Sequence, residues 1–259
     1  MLFTRAIPLL AFLVLITLAP RAFAYHSPLR ICSAPAKKLY FEISYRLDKR
    51  RQPIRLTAVQ AEAEAARHLP ESVTQRVPKA LAVYPANFFH TETYWPGGLL
   101  VIPRMNVYQR PSKYPNRPVL AQRHTGEILF LTNQKAWAIR SELRIALEAG
   151  PFLIVGGQDW NDFSDLADDP HFLDPTERRM IGARRNGEIL FIEGFGGLRE
   201  TRQNVRRRYP DIHTLVNLDG GSSAASQHKR LPTRLIAYYL TEDPPTPTPV
   251  PMPNPSPTN

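Results

Sequence analysis

The stretch Asn133-Gln-Lys-Ala-Trp-Ala-Ile-Arg-Ser-Glu-Leu-Arg-Ile-Ala-Leu-Glu-Ala149 carries most weight for the fold class. Ala136, Ile139, Leu143, Ala146 and Leu147 recur at three- and four-residue spacing, and Gly150-Pro151 follows as a stop, so the pattern predicts an amphipathic helix packed on a sheet. Around it the signals are mixed. Leu39, Phe41, Ile43 and Tyr45 alternate with polar residues as in a half-buried strand, and Ala80 to Val83, Leu99 to Ile102, Glu127 to Leu131 and Phe152 to Val155 read as further strands. Thr57 followed by Gln60 predicts a capped helix over Val59 to Leu69. Met180 to Ala183 and Glu188 to Glu193 predict a hairpin turning on Asn186-Gly187, Leu198 to Tyr209 a helix, and Thr214 to Leu218 and Arg234 to Leu240 the last strands. Helices interleaved with hairpins and crossovers predict an α+β (mixed α/β) fold, a single domain with a mixed β-sheet flanked by helices.

Outside this region the ends read differently. Met1 to Arg5 is basic, Ala6 to Ala19 is apolar and Ala22-Phe23-Ala24 is a small-x-small triplet, so residues 1–24 are expected to be a secretory signal peptide. The apolar run is shorter than the ~20 residues that span a bilayer. Residues 25–37 then form a lead, 38–243 the folded domain, and 244–259 a tail with eight prolines that favours extended polyproline II. The expected location is secreted or periplasmic, with no stable membrane insertion after signal cleavage. Among 259 residues a single cysteine excludes a disulfide framework and a multi-thiolate zinc site. The net charge of +10 points to anionic partners: phosphates, polyanionic glycans, nucleic acid or an anionic surface. Arg206, Arg207 and Arg208 offer a nucleic-acid patch or, more simply, a solvated helix face; with no recognised nucleic-acid motif, no nucleic-acid partner is expected.

Three stretches could carry chemistry. Val216-Asn217-Leu218-Asp219-Gly220-Gly221-Ser222-Ser223-Ala224 ends an apolar strand in an acid and two glycines. That presents Asp219 either to a ligand, with backbone approach at Gly220 and Gly221, or to its own backbone in a tight turn. Glu148-Ala149-Gly150-Pro151 is explained by a helix stop alone. In Glu177-Arg178-Arg179-Met180-Ile181-Gly182, adjacent arginines on a strand point to opposite faces, so at most one serves a given site. No metal signature of recognised spacing is present, and no cofactor is expected. Asp159, Asp162, Asp165, Asp168 and Asp169 form either a weak calcium loop or, more simply, a solvated acidic loop, since the glycine and glutamate of an EF-hand are missing.

Taken in order, Ala149 to Val155, Arg178 to Gly182 with the Asn186-Gly187 hairpin, the helix from Leu198, and Asn217 to Ser223 resemble the phosphodiester glycosidase family over roughly Ala80 to Leu240. Where that family carries an Asn-Gly-Gly-Phe-Phe type segment, this chain has Pro85-Ala86-Asn87-Phe88-Phe89, followed by Pro96-Gly97-Gly98-Leu99, and Ser222 replaces a frequent third glycine. The resemblance implies hydrolysis of a sugar linked through its anomeric carbon to a phosphodiester. Such a leaving group needs charge neutralisation, for which a guanidinium fork is suited, and an oxocarbenium-like transition state needs a carboxylate. The resemblance assigns these roles to Arg178, with Arg179 as alternate, and to Asp219. Asn217 and Ser223, with Asn87 upstream, are candidates to hold sugar hydroxyls or phosphate. Glu148 is a candidate second acid or base, and His90 a weaker one. The implied partner is a phosphorylated glycan or sugar phosphodiester, GlcNAc-1-phosphodiester-like, in envelope or extracellular glycans. The alternative is a noncatalytic phosphoglycan or cell-wall-polymer binding module, which the Pro85 departure would permit.

Overall fold

The computed structural model describes residues 29–74, 80–90, 92–163, 174–223 and 231–240. The expected signal peptide and proline-rich tail lie outside them. Fifteen strands among the described residues form three sheets. The first has the order β1 (Arg30–Pro35), β13 (Glu188–Gly196), β12 (Thr176–Arg184), β14 (Ile212–Asn217), β10 (Phe152–Val155), β11 (Gln158–Asp159). The second is β3 (Pro53–Ile54), β2 (Leu39–Leu47), β15 (Thr233–Tyr239), β4 (Ala80–Pro85), and the third β6 (Val107–Gln109), β5 (Leu100–Ile102), β9 (Leu143–Glu148), β7 (Pro118–Arg123), β8 (Ile128–Thr132). All the ladders are antiparallel. The helices are short: α1 (Ala58–Ala66), α2 (Glu71–Thr74), α3 (Asn133–Ala138) and α4 (Leu198–Arg208).

The fold is therefore mostly β, and the expected α+β domain with a mixed sheet flanked by helices is overturned. The decisive error lies in residues 133–149. Only Asn133–Ala138 is α-helical; a 3-10 turn follows at Arg140–Glu142, and Leu143–Glu148 is the central strand β9. Its register against β7 shifts between Gln122 (opposite Ile145) and Arg123 (opposite Leu143), leaving Arg144 as an extra, bulged residue. The bulge sets Leu143 on the same face as Ala146, and both join Ala136 in one apolar cluster. Three-residue spacing, the mark of a helix, is here produced by a short helix plus a bulged strand. Leu147 and Ile145 point the other way, into the main core.

That core is shared by all three sheets. Phe41 and Ile43 come from the second, Leu100, Leu120 and Leu147 from the third, and Ile181, Phe191 and Val216 from the first. Phe191 meets Phe41 and Tyr84 edge-on at 6.1 and 6.0 Å. The outer faces carry α4, α3 and α1 respectively on the first, third and second sheets. Between the second and third sheets, Gln122 accepts from Phe41 N–H at 2.9 Å and donates to Leu39 C=O at 2.9 Å. Several of the expected elements are present. The Thr57–Gln60 capping box opens α1, and the Asn186-Gly187 turn joins β12 to β13.

Tyr45 is buried, its hydroxyl has no hydrogen-bond partner among the described residues, and burial pushes its phenol up to about 12. Because burial disfavours the phenolate, the unfolded chain ionises near pH 10 while the folded one stays neutral, so stability is at its full value below pH 10 and is lost as pH climbs toward 12. Burial also raises Tyr84 and Tyr238. Stability should therefore fall through this alkaline window. Tyr45→Phe is expected to flatten that fall and to raise stability at pH 8 by up to about 1 kcal/mol, because it removes an unsatisfied hydroxyl. Denaturant midpoints at pH 8 and 11 measure both.

Candidate functional site

The chain emerging from β14 continues its ladder with β12. Met180 faces Asn217, and Leu218 N–H donates to Arg179 C=O at 2.8 Å. One more step of this register sets Asp219 opposite Arg178. Gly220 then lies so close to β12 that an added Cβ would sit 2.8 Å from Glu177 C=O and 3.8 Å from Arg178 Cδ. Only glycine permits that approach, and Gly221 turns the chain away at φ +54°. The chain runs on from the strand end beside β12, and this close approach places the Asp219-Gly220 turn next to Arg178.

Arg178 and Asp219 are 2% and 7% exposed. Arg178 Nε donates to Gly196 C=O at 3.2 Å and an Nη to Asp174 C=O at 2.7 Å, which fixes the plane of the fork. Burial pushes its guanidinium down to about 10, against the pull of the Asp174 carboxylate, so it is still a cation at neutral pH. Arg179 faces the other way. It meets Glu193 at 3.5 Å and Glu177 at 3.9 Å and lies 5.9 Å from the Tyr84 ring. The structure thus separates the two arginines and brings Arg178, not Arg179, to the Asp219 turn.

Asn217 is buried at the adjoining turn. Gly150 N–H donates to Asn217 C=O at 2.8 Å, and Asn217 N–H to Pro151 C=O at 3.2 Å. A Cβ on Gly150 would come within 3.0 Å of both Asn217 Nδ2 and the Phe88 ring, so the Phe88 loop, the Gly150 turn and the Asn217 strand end pack together. Asn87, beside Phe88, is buried and donates to Leu99 C=O at 3.0 Å. Pro85 stands at the end of β4 opposite Arg234. The Oδ1 atoms of Asn87 and Asn217 have no partner among the described residues. A buried acceptor of this kind is satisfied by water or a ligand or else costs about 1–3 kcal/mol, and such groups are concentrated at functional sites. Ser223 is buried, its N–H donating to Gly220 C=O at 3.0 Å.

Glu148 closes β9 and is 2% exposed. Its Oε2 accepts from Leu99 N–H at 2.9 Å, Ser112 N–H at 3.1 Å and Asn133 Nδ2 at 3.3 Å. These bonds use the carboxylate to hold three segments in place. Asn133 and Ser112 were not legible as site residues, because Asn133 reads from sequence as the first residue of a long helix and Ser112 carries no motif. Gly98 makes the arrangement possible: its φ is +111°, and a Cβ there would fall 2.5 Å from Glu148 Cδ. Gly98→Ala is expected to cost about 3 kcal/mol or more, combining a forbidden backbone region with a clash against a buried carboxylate. A thermal midpoint lower by at least about 6 °C would register it.

His90 lies on an exposed turn, where its N–H donates to Trp95 C=O at 2.9 Å. Asp159 pairs with Arg202 at 3.3 Å and Arg206 at 3.1 Å, while Asp165, Asp168 and Asp169 lie outside the described residues. Arg207 reaches Asn204, and Arg208 donates to Leu29 C=O at 3.2 Å, so the arginine run of α4 is engaged in local contacts.

Fold and site together define a mostly β protein whose strand ends gather a buried arginine, a carboxylate and buried amides under glycine turns. A sequence model of the phosphodiester glycosidase family matches residues 79–237, and the chain belongs to that family, hydrolases acting on phosphodiester-linked sugars. Among solved structures it is similar to the zebrafish N-acetylglucosamine-1-phosphodiester alpha-N-acetylglucosaminidase catalytic domain auto-inhibited by its pro-peptide. That match has a TM-score of 0.51 and 15% identity, over 82% of this chain and 88% of that one. A hypothetical protein from Synechocystis is similar at TM-score 0.53 and 14% identity, over 82% of this chain and 59% of that one. At these identities the structural likeness speaks to the fold. No curated protein sequence matches the chain.

Proposed function

We propose that this protein is an exported glycosidase that hydrolyses a sugar-1-phosphodiester, GlcNAc-1-phosphodiester-like, in envelope or extracellular glycans. The observation that carries the reading is the β12–β14 ladder running on past Asn217, which sets the Asp219-Gly220 turn against Arg178. In this reading the Arg178 guanidinium neutralises the departing phosphate, and its low-dielectric surroundings strengthen that attraction. Asp219 supports the developing positive charge at the anomeric carbon, as nucleophile, base or electrostatic stabiliser. The C1–O bond to phosphate breaks, the phosphate monoester leaves with the bonding pair, and water supplies the hydroxyl of the released sugar, its remaining proton passing to the departed phosphate or to solvent. Asn217, Asn87 and Ser223 offer amide and hydroxyl groups to the sugar, with Gly220 and Gly221 permitting close approach. Glu148 acts as a positioning residue for the Leu99 and Ser112 segments, and an acid–base role is not needed.

Export rests on the basic and apolar N-terminal pattern of the sequence. The test is turnover of a synthetic GlcNAc-1-phosphodiester by the full chain, with release of free sugar and phosphate monoester followed together. Since Arg178 and Asp219 are both more than nine-tenths buried, access of the phosphate to them is what the assay probes. Binding without turnover would favour the noncatalytic module, and absence of both would end the proposal.

A further inference from the structure

Beside the Gly150-Pro151 turn lies a cleft of about 240 Å³ walled by Tyr114, Pro151, Phe152 and Trp160 and rimmed by Asn116 and Asp162. Two of its walls are direct extensions of the site. Pro151 accepts from Asn217 N–H, and Phe152 faces Val216 two strand positions from Leu218. The Tyr114 wall is tied to Glu148 through Asn133, whose Nδ2 donates both to Tyr114 C=O at 2.7 Å and to Glu148 Oε2 at 3.3 Å. Arg117 bridges the Tyr114 and Phe88 rings, with its guanidinium 5.0 and 5.9 Å from their centroids.

The Trp160 wall is preset. Its Nε1 donates to Asp162 C=O at 2.7 Å, its backbone N–H donates to Leu153 C=O at 2.9 Å, and its ring packs against Phe152 at 5.9 Å. Behind it, Arg202 from α4 donates to Trp160 C=O and to Asn161 Oδ1 at 3.2 Å and pairs with Asp159 at 3.3 Å. The indole is therefore held before any ligand arrives, which removes part of the entropic cost of binding. Aromatic walls from Tyr114, Phe152 and Trp160 in one cleft with the exposed residues Asn116 and Asp162 suit a ligand that is apolar on its C–H faces and hydroxylated around its edge. The volume falls below the roughly 300–1,000 Å³ of drug-sized sites, which suits a single ring.

We infer that this cleft is a pyranose subsite, with Trp160 as its platform, which receives a second sugar ring of the substrate next to the phosphodiester. The placement of that ring relative to the phosphate rests on the proposed function; the binding of a pyranose does not. The experiment uses the full-length protein and saturation-transfer NMR with methyl hexopyranosides, with cyclohexanol as an apolar ring of similar size. Transfer to the pyranose ring protons is expected, with little to cyclohexanol. Trp160→Ala should weaken the pyranoside by about tenfold and Trp160→Phe, which keeps an aromatic face, much less. Circular dichroism shows that each variant is folded. No transfer to any pyranoside, equal transfer to cyclohexanol, or unchanged binding in folded Trp160→Ala overturns the subsite, whether or not the protein hydrolyses phosphodiesters. Should Trp160→Ala not fold, Asp162→Ala, which removes the carboxylate beside the cleft but keeps the carbonyl that Trp160 Nε1 donates to, is expected to weaken the pyranoside while leaving cyclohexanol unaffected; unchanged pyranoside binding there overturns the subsite equally. Conversely, pyranoside binding with no turnover of any sugar phosphodiester leaves the subsite standing and removes the hydrolase.

Discussion

Asp219→Asn is expected to lower kcat on a sugar-1-phosphodiester by roughly 10³–10⁴, while the folded protein and its substrate affinity change little. The substitution keeps size and one carbonyl oxygen but removes the negative charge, so it isolates electrostatic support of the transition state from the packing of the turn. Gly220 against Glu177 and the Ser223 N–H to Gly220 C=O bond also hold the turn, and the thermal midpoint records what the Asp219 carboxylate adds to the fold. Single-turnover rates, with a thermal midpoint as the fold control, separate the two contributions. A kcat within a few-fold of the unaltered protein, with the fold intact, removes Asp219 from the mechanism.

Arg178→Lys is the second large effect. Lysine keeps the charge but loses the planar fork, and it cannot at once reach Gly196 C=O and Asp174 C=O as Arg178 does at 3.2 and 2.7 Å. We expect kcat/KM to fall by about 10²–10³, through poorer phosphate neutralisation. Inhibition by a phosphate monoester product should weaken in parallel. Stability should also drop by about 1–3 kcal/mol per buried carbonyl left without its donor. The product-inhibition readout distinguishes the roles: a purely structural arginine would lower stability and leave the inhibition constant of the surviving folded fraction alone. That last result would assign the phosphate to another cation.

Local signals in the sequence were read well where one residue type can satisfy a local demand. Asn186-Gly187 makes a hairpin because a positive φ is needed there, and Gly187 has φ +84°. Thr57 and Gln60 cap α1 because their side chains reach backbone donors three residues away. Alternation in Leu39 to Tyr45 predicts a strand, and β2 is one, with Leu39, Phe41, Ile43 and Tyr45 all in the main core. Pro118 to Arg123 carries no strand signal because β7 is an interior strand, between β9 and β8, and is buried on both faces, which leaves no alternation to see. Arg30 to Pro35 went unread because an edge strand with mixed burial has little pattern of its own. Among the candidate site residues, Arg178, Asp219, Asn217 and Gly220 stand out in the sequence through motif order, as candidates. Asn133, Ser112 and the Trp160 cleft were not, since their roles depend on neighbours far away in the chain.

From the chain alone come the ordered motifs that mark the family and the turns and caps, because each rests on chemistry within a few consecutive residues; which of Arg178 and Arg179 lies beside the Asp219-Gly220 turn came only with the fold. The three-sheet architecture was decided only by the folded state. Residues 133–149 satisfy a helical period locally, yet a bulge at Arg144 and pairing on both sides with β5 and β7 make the latter part a central strand. Long-range ladder bonds outweighed the propensity of an isolated segment. The same kind of pairing, β12 against β14, sets the Asp219-Gly220 turn beside Arg178 across some forty residues of sequence, an approach that no local pattern can encode.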